Sequence, residues 1–157
     1  MKYIYLVVIF ISGILLASDV KPINNQLALK ECGSCHFAYQ PGLLPKRSWK
    51  KIISNLGNHF GTDASLDKKD EQMLLSYFIK NSSDNSNQYL SRVITRYTRA
   101  DKTPMRITTG VVFRRAHDEL RRSTFLRKSV GNPGNCIACH RTAKRGLYNE
   151  DYVRIPR

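Results

Sequence analysis

A mainly α-helical protein of two small domains is what this sequence predicts. Three observations carry that expectation. Apolar residues recur at helical spacing in several segments, no stretch alternates like a strand, and the polar run NSSDNSN at 81–87 divides the chain near its middle. The 157 residues suit one domain or two small ones. Lys and Arg number 26 against 12 Asp and Glu, a formal charge of +14. Apolar residues make up 41% and charged residues 24%, which excludes a disordered chain and a polytopic membrane protein.

Residues 1–17, MKYIYLVVIFISGILLA, read as a secretory signal peptide: one Lys, an apolar run, then a small residue before Ser18-Asp19. The competing reading is an uncleaved anchor, but the run is shorter than the ~20 residues of a spanning helix. Without it, 140 residues remain with 51 apolar ones, a lean supply for a core of that size.

The remaining elements follow in order. Gln26 to Glu31 reads as a helix and Pro41 to Pro45, PGLLP, as a loop. Helices are expected at about 47–59 and 67–80, then, past the polar run, from Gln88 to Arg99 and from Val111 to Arg122. Gly131 to Asn135 is a turn, and the tail from Leu147 has no clear period. The domain boundaries expected are 18–82 and 88–157.

All four cysteines fall into two repeats of one motif, Cys32-Gly33-Ser34-Cys35-His36 and Cys136-Ile137-Ala138-Cys139-His140. C-x-x-C-H is the attachment signature of a c-type haem. The two thiols, Cys32 with Cys35 and Cys136 with Cys139, add across the porphyrin vinyl groups, and the adjacent His ligates the iron. Two covalently bound haem c groups are therefore expected. A four-cysteine zinc site also uses paired C-x-x-C but gives no reason for a His after each pair. Disulfides, or a thioredoxin-like redox motif without its βαβ context, account for less of the pattern.

His36 and His140 are the proximal ligands on this reading, which leaves His59 and His117 as one further ligand per haem. His59 lies at the end of RSWKKIISNLGNHF, on or just past an apolar helix face, with Gly61 to end the helix. His117 shares a helical stripe with Phe113, Ala116 and Leu120. A His on such a face is commonly a core residue, and Met73 or Met105 could instead supply a sixth ligand. Bis-His ligation at both irons is the reading adopted. It leaves no open coordination position and gives a lower potential than His/Met, as suits an electron carrier.

The halves are not a simple duplication. The motif precedes the distal His in the first and follows it in the second. The first half resembles a small class I cytochrome c, and the second need not. Residues 18–84 carry a charge of +2 and residues 85–157 carry +11. Haem propionates neutralise some of that excess. The rest is expected to dock an acidic redox protein, not nucleic acid.

In combination, several segments resemble the dihaem cytochrome c family. They are Cys32–His36, Tyr39 to Pro45, Arg47-Ser48-Trp49, His59-Phe60-Gly61, Arg114 to His117, Asn135–His140, Ala143, Gly146 and Val153 to Pro156. The resemblance implies a class I-like N-terminal haem domain and a distinct C-terminal one. It implies His36 with His59 on the first iron and His140 with His117 on the second. It also implies periplasmic electron transfer, with a small oxygen-binding monohaem cytochrome c as one partner and a membrane cytochrome as donor. A monomer without catalytic residues is expected. The alternatives are a dihaem peroxidase or reductase with one exchangeable haem, and a haem-based sensor, for whose output domain the chain has no room.

Overall fold

The computed structural model describes residues 18–157. The signal-peptide expectation lies outside them. The architecture is mainly α-helical, with no β-strand among the described residues. Helix α1 spans Gln26–Gly33, α2 Lys46–Ile53, α3 Lys68–Lys80, α4 Tyr89–Tyr97, α5 Val111–Ala116, α6 Arg122–Phe125 and α7 Cys136–Cys139. Short 3-10 turns link them, at Pro41–Leu43, Leu56–Asn58, Ser83–Asn85, Ile107–Thr109, Ala143–Arg145 and Glu150–Tyr152. No described helix is long and apolar enough to cross a membrane.

The first half has local reasons for its helices. Asn25 caps α1 by accepting from the Ala28 N–H at 2.9 Å, and Asp67 caps α3 by accepting from Asp70 N–H at 2.8 Å. Asp70 and Glu71 in the first turn of α3 and Lys80 in its last complement the helix dipole. Helix α2 buries Ser48, Trp49, Ile52 and Ile53, while Lys50 and Lys51 face solvent. That face meets Leu74 and Phe78 of α3, with Ala28 of α1 and Leu44 completing the core. Trp49 packs on Phe78 at 4.5 Å between ring centroids, and its indole N–H donates to Pro41 O at 2.7 Å. The large aromatic is thus buried with its one polar atom satisfied.

Three expected helices are shorter than the periodicity predicts. The helix expected over 47–59 ends at Ile53, because Ser54-Asn55 turn the chain and a 3-10 turn follows. The helix expected over Val111 to Arg122 ends at Ala116, with His117 as its C-terminal cap. The helix around Gln88 to Arg99 keeps Tyr89–Tyr97.

The polar run at 81–87 is a packed seam and not a free tether. Ser82 and Ser83 are buried. Ser83 N–H donates to Leu44 O, Asp84 accepts from the Lys46 N–H at the start of α2, and Thr95 of α4 donates to the Ser83 hydroxyl. Arg47 adds a second tie across the halves, donating to Lys102 O at 2.6 Å and Arg99 O at 2.9 Å. The start of the described chain does the same. Val20 N–H donates to Gly146 O, and Asp19 accepts from the backbone N–H of Tyr148 at 2.6 Å. Gly146, at φ +72°, must be glycine: a Cβ there would collide with the Val20 carbonyl.

Candidate haem-binding sites

Each C-x-x-C-H motif is shaped as a helical turn. Cys32 lies in the last turn of α1, with Cys35 and His36 just beyond it. Cys136 and Cys139 bound α7, and His140 caps it. None of the four cysteines forms a disulfide. Nor does any group of three or more His, Cys, Asp or Glu among the described residues come together as a bare-metal site, so the motifs do not converge on one zinc. Burial pushes the Cys32 and Cys136 thiols up to about 11.

The four histidines meet in two pairs. The His36 and His59 rings stand 6.1 Å apart at 22°, and the His117 and His140 rings 5.9 Å apart at 75°. Two metal–nitrogen bonds of about 2 Å, plus about 1.1 Å from each ring nitrogen to its centroid, add to about 6 Å. The spacing of both pairs fits one metal atom between the imidazoles. Nδ1 of His36 lies 2.8 Å from Phe37 O, and Nδ1 of His117 lies 2.8 Å from Phe113 O. A carbonyl only accepts, so Nδ1 carries the proton in each and Nε2 is left for a metal. Burial, then the facing histidine, lowers the pKa of His59 and of His140, keeping both in the neutral ligating form.

A tight turn, and not a helix, presents His59. His59 and Thr62 exchange backbone hydrogen bonds, while Phe60 at φ 55° and Gly61 at φ 94° take left-handed conformations. His117 ends α5 and stacks on Phe113 at 4.1 Å. A cavity of about 1180 Å³ opens around the second pair, lined by Phe113, Phe125, Val130, both motif cysteines and Tyr148. It has room for a large planar group. Met73 is 44% exposed on α3, and Met105 packs against the first-half core.

Tyr39, Gln40 and Tyr148, outside both C-x-x-C-H motifs, join the two sites. The Tyr39 ring stacks on His36 at 5.1 Å, and its hydroxyl donates to Gly134 O at 2.7 Å, two residues before Cys136. Burial holds the Tyr39 phenol up at about 12, so it remains a donor. Gln40, fully buried, donates to Ala143 O at 2.5 Å and accepts from the Tyr148 hydroxyl at 2.7 Å. The Tyr148 ring lies 5.4 Å from His140. Only the Tyr-Gln-Pro stretch after the first motif hints at this in the sequence, because the partners are mostly backbone carbonyls.

A helical chain with two C-x-x-C-H turns, each beside a facing pair of imidazoles, defines a c-type cytochrome with two haem positions. Comparison with known proteins makes this specific. Residues 28–148 match the dihaem cytochrome c family, and the chain belongs to it. It is similar to the diheme cytochrome c from Rhodobacter sphaeroides at 36% identity and a TM-score of 0.73, covering 82% of this chain and 100% of that one. It is also similar to the diheme cytochrome from Shewanella baltica OS155, at 34% identity, a TM-score of 0.68, and coverage of 84% and 93%. A comparison with curated proteins gave no match. The protein carries two haem c groups and serves haem-based electron transfer.

Proposed function

We propose that this protein is a periplasmic carrier that moves electrons between redox proteins, with both irons bis-His ligated. His36 and His59 hold the first iron, and His117 and His140 the second. Cys32 with Cys35, and Cys136 with Cys139, make the thioether bonds. The observation that carries the reading is the pair of imidazole separations, 6.1 and 5.9 Å. A haem bound at each site would supply one-electron ferric/ferrous chemistry. His36, His59, His117 and His140 would hold the two irons, with the His36 and His117 tautomers fixed through Phe37 O and Phe113 O, and a second histidine at each iron would leave no site for O2 or peroxide.

Tyr39 supports a direct internal route: its ring touches the first pair and its hydroxyl reaches the backbone leading into the second motif. The +11 charge of residues 85–157 favours an acidic partner and speeds encounter at low salt.

Low-temperature EPR with near-infrared magnetic circular dichroism tests the ligands. Two bis-His signals are expected, and they should differ. Near-parallel rings lift the degeneracy of the iron d orbitals and give a rhombic spectrum, whereas near-perpendicular rings give a highly anisotropic one. Carbon monoxide added to the reduced protein should leave its spectrum unchanged. A stoichiometric shift would favour an enzyme with one exchangeable haem, such as a peroxidase or reductase.

A further inference from the structure

The first histidine pair is braced by a residue from the other half of the chain. The Arg106 guanidinium lies 3.9 Å from the centroid of the Phe60 ring. Phe60 in turn meets His59 edge-on at 4.9 Å. Phe60 holds a backbone φ of 55°, a conformation costly for a bulky residue, which persists only where neighbours enforce it. The residues on either side of Arg106 anchor it. Met105 and Ile107 both pack against the first-half core. No carboxylate among the described residues pairs with Arg106; the ion pairs there are those of Lys30, Lys68, Arg99 and Lys102.

We propose that Arg106 is a positioning and potential-setting residue for the first haem. Stacked on Phe60, it holds the tight turn that presents His59 and places a positive charge, with no protein carboxylate against it among the described residues, beside the His36–His59 pair. Reduction adds an electron to the haem, so a nearby cation favours the reduced form and raises the potential. The second pair has no equivalent: among the described residues no Arg or Lys lies over Phe113 or Phe125, the phenyl rings that pack on His117. The proposal rests on the assignment of His36 and His59 to one iron.

The test is a potentiometric titration of the full holoprotein followed by EPR, which assigns each reduction wave to its haem through the near-parallel or near-perpendicular signal. Arg106→Gln should lower the midpoint of the first haem and leave the second in place. Arg106→Lys, which keeps the charge and loses the planar stack, should restore most of the midpoint. Phe60→Leu should broaden the first EPR signal by freeing the angle of His59. Unchanged midpoints in Arg106→Gln, or an equal fall at both haems, would overturn the proposal. A wild-type spectrum with no bis-His signal for the near-parallel site would instead remove the ligand assignment beneath it.

Discussion

The two histidine pairs are almost equally spaced but differently built. In the first, the rings lie at 22°, the motif histidine is the one anchored through Nδ1, and a turn carries the distal ring. In the second, the rings lie at 75°, the distal histidine is the anchored one, and a helix end carries it. The supporting structure differs as well. The first pair sits beside a core of three helices containing Trp49, Ile52, Ile53, Leu74 and Phe78. The second pair lines a cavity of about 1180 Å³, walled by short helices and turns, and the buried apolar residues of that half are few: Ile94, Val130, Ala143 and Leu147. Equal ligand spacing therefore rests on unequal sources of stability. The first half has the larger packed core, and the second should lean more on its prosthetic group.

That contrast has a direct and large consequence. Replacing Cys136 and Cys139 together by Ala should prevent covalent attachment of the second haem and unfold much of residues 111–157, a loss on the order of 5 kcal/mol or more for that half. Helices α1 to α3 should keep their amide protection in hydrogen exchange, because Leu74, Phe78 and Trp49 do not depend on the second haem. The reciprocal Cys32→Ala with Cys35→Ala should leave the first half more ordered than its counterpart. Equal loss of protection in both double variants would break the comparison.

A smaller effect separates the sites electronically. His59→Met should raise the midpoint of the first haem, and His117→Met that of the second, each by on the order of 100 mV out of the ~0.8 V that axial ligation spans. The second shift should be accompanied by greater loss of order, since His117 also packs between Phe113 and Phe125. Potentiometry of each variant checks the assignment. A His59→Met shift in the highly anisotropic signal would mean that the ligands cross between halves.

Much of this was legible in the sequence, and the residues that were not share a cause. The C-x-x-C-H repeats, helix 67–80 and the unequal order of ligands could be read because residue type and spacing carry them. The turn at His59 could not, because Gly61 signals a left-handed position whereas Phe60, equally left-handed, does not. Helical spacing through Ile52, Ile53 and Leu56 therefore extended the helix too far. The run at 81–87 reads from composition only as a polar boundary, which does not reveal that Ser83 pairs through its backbone with Leu44 and through its hydroxyl with Thr95. The ties made by Arg47, Gln40 and Tyr148 are hidden for a related reason, although Arg47 and Gln40 lie in segments that carry the family resemblance. Their partners include the carbonyls of Lys102, Ala143 and Arg99, and a carbonyl leaves no mark on a sequence.

The least disruptive change tests the link between the two pockets. Tyr39→Phe keeps the ring stacked on His36 and removes only the hydroxyl that donates to Gly134 O. The Gly134 carbonyl loses its phenol partner, so the cost in stability should be about 1 kcal/mol, readable as a small shift in the denaturation midpoint. Both EPR signals should survive. The rate of electron exchange between the haems, followed after fast photoreduction, should fall, because the covalent and hydrogen-bonded route through the phenol becomes a through-space gap. Tyr148→Phe offers the control. It breaks the hydrogen bond to Gln40 beside His140 but leaves the Tyr39 route intact, so its internal rate should stay near that of the wild type. If both variants slow exchange alike, the two halves communicate through the whole Tyr39–Gln40–Tyr148 seam and not through one side chain.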